Sequence, residues 1–238
     1  MTRTEELAAA LARTTDRVRA AAGAAGRDPD RLRLVVVTKF FPADDVRRLA
    51  DLGVRDVGES RDQEASAKAA ELAPDLPDLR WHFVGQLQTN KARSVARYAD
   101  VVHSVDRPRL AAALQAGAAD AGRRVGCFVQ VDLAAGLGLD AGADRGGAAG
   151  DDVLRVADAV AAGEDLELRG VMAVAPRGVD PARAFAELSR AARRVRAEHP
   201  GAVEVSAGMS GDLEQAVAAG ATHLRVGSAI LGSRPGAR

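Results

Sequence analysis

The stretch LVVVTKFFP, residues 34–42, decides how the chain folds. Leu34 and three consecutive valines predict a strand buried on both faces, the kind found in a parallel sheet covered by helices. The strand runs into Thr38 and Lys39, and Pro42 is well placed at the first position of a helix. An open dinucleotide-binding sheet would carry a G-x-G-x-x-G turn after its first strand, and none stands here. Outward from this point, a charged, alanine-rich helix at 3–22 precedes the strand. Further apolar runs at 54–58, 80–85, 101–105, 125–133, 166–174, 203–208 and 223–228 predict seven more strands. Helical patterns at 42–52, 61–72, 89–98, 108–121, 151–162, 181–198 and 211–220 lie between them. Strict alternation of this kind predicts an α/β fold: a single (β/α)8 barrel spanning 1–238 with an extra N-terminal helix. An open doubly wound sheet is the runner-up. Residues 134–150, AAGLGLDAGADRGGAAG, have no apolar periodicity and read as a long loop.

Composition narrows the function. Net charge is zero with both signs interspersed, which argues against a nucleic-acid groove or membrane-surface patch. Cys127 is the one cysteine, so neither an internal disulfide nor a cysteine-based metal cluster is expected. No segment approaches the roughly 20 apolar residues of a membrane span, and the N-terminus has no signal-peptide apolar stretch. A cytoplasmic monomer is the expectation.

The chain has 33 lysines and arginines, of which only Lys39, Lys68 and Lys91 are lysine. A lysine amine can be made neutral by burial and act as a nucleophile, whereas guanidinium stays charged. Lys39 therefore reads either as a nucleophile at a strand end or as a side chain snorkelling into water. In a (β/α)8 barrel the C-terminal strand ends build the site. Lys39, Ser60, Ser206 and the turn after strand eight fall there. SAGMSGD (206–212) and RVGS (225–228) are neighbouring turns of small residues with hydroxyls, fit for a phosphate. Capping by Ser210 is the plainer reading of one turn but does not account for two. A neutralisable lysine facing such a pocket suggests a Schiff base with a phosphorylated aldehyde, pyridoxal phosphate being the usual one. A Schiff-base sugar-phosphate aldolase is the competitor. Arg225 beside a pyridine nitrogen would keep that nitrogen unprotonated and the ring a weak electron sink.

The motifs VVVTKFFP (35–42), VGESRDQE (57–64), WHFVGQLQTNKAR (81–93), DRGGA (144–148), RGVMAVAP (169–176) and the run 206–232 together resemble the pyridoxal phosphate homeostasis protein family. That family is itself similar to the N-terminal barrel domain of alanine racemase. The resemblance implies pyridoxal 5'-phosphate bound covalently on Lys39, with Arg225 at the pyridine nitrogen. It implies Ser210, Gly227 and Ser228 at the phosphate, Ser206 and Met209 lining the cleft, and His82 near the ring. It also implies a role in intracellular vitamin B6 and amino-acid homeostasis without robust turnover, with apo pyridoxal-phosphate enzymes as possible partners. Ser60 departs from the asparagine usual after strand two, and Ala207 from a methionine after strand seven. A single-domain racemase is the alternative. It would need a second acid/base group, for which Tyr98, His103 and Cys127 are the residues to weigh, and the chain is expected to lack the second domain of alanine racemase.

Overall fold

Valine-rich segments make good strands where both faces are covered, because branched side chains pack on a pleated surface. The structure, a computed structural model, describes residues 1–139 and 146–233. Its strands are β1 (Arg33–Val37), β2 (Asp56–Glu59), β3 (Arg80–Phe83), β4 (Val101–Val105), β5 (Val125–Gln130), β6 (Leu166–Met172), β7 (Glu204–Ser206) and β8 (His223–Val226). All are parallel and pair in chain order. β8 closes onto β1, with Arg33 opposite His223 and Val35 opposite Arg225. The (β/α)8 barrel expected from the sequence is the fold observed.

The leading helix α1 (Arg3–Ala24) starts with a capping box. Thr2 Oγ1 accepts from Glu5 N–H, and the Glu5 carboxylate accepts from Thr2 N–H. α2 (Ala43–Asp51), α3 (Asp62–Leu72), α4 (Ala92–Ala96), α5 (Pro108–Ala121), α6 (Leu133–Gly136), α7 (Asp152–Ala161), α8 (Pro181–Glu198), α9 (Leu213–Ala218) and α10 (Ser228–Leu231) follow. α1 packs across α9 and α10.

Capping chemistry explains where the boundaries differ from the sequence reading. Pro42 stands at the N-cap of α2 rather than inside it. The helix expected at 89–98 divides into a 3-10 turn, Thr89–Lys91, and α4. β5 stops at Gln130 because the Asp132 carboxylate accepts from Ala134 and Ala135 N–H and starts α6. β8 stops at Val226 because Gly227 caps α10. The segment read as a loop at 134–150 thus begins as a helical turn, and Ala148 returns to bridge Val131. Residues 140–145, including part of the DRGGA motif, lie outside the described residues.

The apolar core lies mainly between sheet and helices, with Val36, Val57, Leu49 and Leu72 on one side and Leu110, Leu114, Phe185 and Leu188 on the other. Barrel interiors are usually filled by layers of branched apolar side chains. Here a small separate cluster, Val101, Phe128 and Met172, shares the buried space with Asp56, His82, His103, Ser206, His223 and Arg225.

Candidate functional site

The rim at the C-terminal strand ends is built by sharp turns. After β1 the chain passes Thr38 and half-buried Lys39. Phe40 then takes φ 72°, the left-handed region that non-glycine residues avoid, and Phe41 N–H closes the turn on Thr38 C=O at 3.1 Å. Lys39 Nζ lies 5.9 Å from the centroid of the Phe40 ring. After β8, a Cβ on Gly227 would stand 3.0 Å from the Val37 carbonyl oxygen, so the β8 turn lies directly against the end of the lysine's strand. Ser228 O–H donates to Ser210 Oγ at 3.2 Å, and Ala229 N–H points at the same oxygen. These bonds join the loops after β7 and β8 into one hydroxyl-bearing edge. Asp212 holds Met209 N–H at 2.6 Å, leaving the exposed Met209 side chain over the mouth. Ser60 lies across the rim after β2, pressed against Gly85.

Two cavities open among the loops that follow the strands, the first reaching Met209 and the second Ser60. One, of about 700 Å³, is lined by Gln86, Gln130, Asp132, Met172, Arg177 and Met209, among others. The other, of about 530 Å³, includes Ser60, Arg61, Gln86, Lys91 and Arg107. The donor set fits a phosphorylated aldehyde: an amine able to condense, two hydroxyls with a backbone amide one strand away, and a guanidinium beneath.

That guanidinium is fixed from behind. Arg225 Nη2 donates to Ala173 C=O at 2.9 Å, and Nη1 donates to Ser206 Oγ. Ser206 Oγ lies 2.8 Å from His103 Nδ1, His103 Nε2 lies 2.9 Å from His82 Nδ1, and His82 Nε2 lies 2.8 Å from Asp56 Oδ1. The two ends fix the direction of every proton. Arg225 can only donate and the Asp56 carboxylate can only accept. With both histidines neutral, Ser206 O–H donates to His103 Nδ1, His103 Nε2–H donates to His82 Nδ1, and His82 Nε2–H donates to Asp56. Burial pushes His82 below the usual histidine range and His103 well below it. Asp56 is held well below the usual carboxylate range, against its burial, by hydrogen bonds from His82 and Arg80. Burial brings Arg225 down to about 10, so it is still charged at neutral pH.

The rim therefore gathers Lys39, Ser60, Met209, Ser210, Gly227 and Ser228, with Arg225 below. Two of the expected cleft residues sit elsewhere. Ser206 is fully buried behind Arg225. His82 lines a cavity at the opposite, N-terminal mouth with Arg33, Asp56 and Arg80, and it reaches Arg225 only through His103 and Ser206. The carboxylate of Asp56, at the start of β2, draws it there. Sequence reasoning missed Asp56 and weighed His103 only as an acid/base group, because the bonds that tie them to this string span 21 or more residues of sequence. Among the described residues there is no cluster of metal-ligating side chains, and no helix is long and apolar enough to cross a membrane.

The chain matches the family described as "Alanine racemase, N-terminal domain" over residues 9–235. It is 46% identical to the "Pyridoxal phosphate homeostasis protein" of Mycobacterium tuberculosis (strain ATCC 25618 / H37Rv), covering 98% of this chain and 94% of that one. The protein of the same description from Escherichia coli (strain K12) is 33% identical, covering 96% and 97%. Among solved structures, PipY of Synechococcus elongatus PCC7942 with pyridoxal phosphate bound is 34% identical with a TM-score of 0.78, covering 95% of this chain and all of that one (100%). Alanine racemase from Streptomyces coelicolor A3(2), 21% identical with a TM-score of 0.71 over 98% of this chain and 59% of that one, shares the fold.

Proposed function

The chain belongs to the pyridoxal phosphate homeostasis protein family, and on that premise we propose that it holds pyridoxal 5'-phosphate reversibly as a Schiff base on Lys39. In this reading it serves vitamin B6 and amino-acid homeostasis inside the cell, as a cytoplasmic monomer and without robust turnover. The observation that supports it is the contact of the Gly227 turn with Val37, two residues before Lys39, on the same β8 turn whose Ser228 bonds Ser210. PipY, a relative at 34% identity, is described with the same cofactor bound.

When bound, the cofactor supplies an aldehyde for the lysine amine and a ring that accepts electrons. The chain's own residues do the rest. Lys39 provides the amine. Ser210 and Ser228 hydroxyls with the Gly227 turn would hold the phosphate, and Ser60 and Met209 would line the cleft. Arg225 presents a cation that cannot accept a proton, so a ring nitrogen facing it stays unprotonated.

The placement of the residues weighed as second acid/base groups favours holding over turnover. Tyr98 lies in an outer groove with Trp81, Leu79 and Ala69, its hydroxyl raised far above the usual range by burial. Cys127 is fully buried, its thiol pushed up to about 12. Transfer of the cofactor to apo-enzymes is a further part of the proposal.

The test is spectroscopic. Added pyridoxal phosphate gives a visible absorbance band on condensing with the amine. Borohydride then fixes the label to Lys39, and Lys39→Ala loses it with Lys68 and Lys91 intact. Label on Lys91, or a silent spectrum, refutes the assignment. Turnover of D- or L-alanine above a control with free cofactor would favour the racemase alternative.

A further inference from the structure

Lys68 belongs to α3, yet it is only 7% exposed. Its ammonium donates to Glu64 Oε1 at 2.7 Å, to Glu59 Oε1 at 2.8 Å and to Thr38 C=O at 3.2 Å. Three acceptors converging on one small head suit an ammonium better than a planar guanidinium fork. This accounts for a lysine in a chain that otherwise writes arginine.

The same two carboxylates also hold the chain on both sides of Lys39. Glu59 Oε1 accepts from Thr38 Oγ–H at 2.7 Å. Glu64 Oε1 accepts from Phe40 N–H at 2.6 Å. Thr38 is thus bonded through its carbonyl and its hydroxyl, and Phe40 through its amide. Phe40 is the one non-glycine residue with positive φ among the described residues. An L-residue needs outside support to stay in that region.

We propose that Glu59, Lys68 and Glu64 form a clamp that positions Lys39, fixing the backbone on either side so that its amine leaves the rim toward the Ser210–Ser228 edge. None of the three reacts; they act through the Thr38–Phe40 backbone. The proposal rests on the reading that Lys39 carries the cofactor. Its chemical consequence is kinetic: an amine held in direction condenses faster than one that must find it.

The test measures the rate of Schiff-base formation with added pyridoxal phosphate, followed by borohydride fixation and mass mapping of the peptides. Lys68→Met and Glu64→Ala are expected to slow the rate by about tenfold or more, since small misplacements of a reacting group are costly. Glu64→Gln keeps an oxygen for Phe40 N–H and is expected to stay within about threefold of the wild type. Phe40→Asn added to Glu64→Ala is expected to recover part of the rate, because asparagine tolerates the left-handed region. A role confined to fold stability would give neither the glutamine rescue nor the asparagine recovery. If Lys68→Met does not fold, the Glu64 and Phe40 variants decide. Wild-type rates in Glu64→Ala, with label on Lys39, overturn the clamp while the cofactor assignment stands. No label on wild-type Lys39 overturns the cofactor assignment and the clamp with it.

Discussion

The proton directions in the barrel interior make stability depend on pH in a calculable way. His82, His103 and His223 are buried and held neutral, His223 brought down to about 3 by burial. In the unfolded chain each titrates near about 6.5. For a histidine whose native pKa is depressed, the stabilisation is complete above the unfolded value and is lost as pH falls from there toward the native one, because over that range only the unfolded state takes up the proton. Moving from about pH 7.5 to about pH 5.5 therefore costs about 1.4 kcal/mol for each histidine that stays neutral throughout, or about 3 kcal/mol for His103 and His223 together, with His82 adding in the same direction. With a urea m value of about 3 kcal/mol/M, those two alone lower the unfolding midpoint by roughly 1 M. Glu59 works the other way: burial raises its carboxyl, so the native state takes up its proton early and offsets part of the drop. A variant isolates one histidine from that background. His103→Gln keeps a donor for His82 and an acceptor for Ser206. Its urea midpoints over the same range should fall by less than the wild type's, the difference amounting to about 1.4 kcal/mol at about pH 5.5. Parallel curves for the two proteins would refute the assignment of a neutral His103 and, with it, the ordered string from Arg225 to Asp56.

Other substitutions test the packing and the rim. A Cβ on Gly85 would stand 2.2 Å from the Ser60 carbonyl oxygen, and the next nearest atoms are also Ser60 backbone, not a flexible side-chain end; Gly85→Ala should cost roughly 3 kcal/mol or more in chemical denaturation. Phe185, 1% exposed on the sheet-facing side of α8, should cost about 3–5 kcal/mol as Phe185→Ala by the same measurement. Ser210→Ala removes the hydroxyl that ties Ser228 and Ala229 together, and should weaken pyridoxal phosphate binding roughly fivefold in equilibrium dialysis while leaving Lys39 as the labelled residue.

The strands were legible because a buried parallel strand writes itself as a local run of branched residues, and Lys39 because it ends the plainest of those runs. Strand ends were less legible, since Asp132 and Gly227 stop β5 and β8 by capping the next helix. The turns at Ser210 and Ser228 showed through their small residues, but the hydrogen bond between them did not. The interior string was hidden for a deeper reason. His103 and Ser206 lie 103 residues apart, and only barrel closure brings them together. Lys68 left one cue, the rarity of lysine, and that cue was spent on Lys39. A lysine on a helix otherwise reads as a solvated charge.

The direction of the interior string also bears on what the protein can catalyse. A base must have a free acceptor and must bear the charge it gains. His103 spends Nδ1 accepting from Ser206 and Nε2 donating to His82. To take a proton from the mouth, it would have to release Ser206. That hydroxyl would then have to point its hydrogen elsewhere, and Arg225, already donating to it, offers no lone pair. The new imidazolium would be fully buried close to that guanidinium, and both burial and the neighbouring charge lower its pKa. Each step that would turn His103 into a base is opposed by the arrangement that pins Arg225. The residue nearest to offering second-face chemistry is therefore committed to holding the arginine in place.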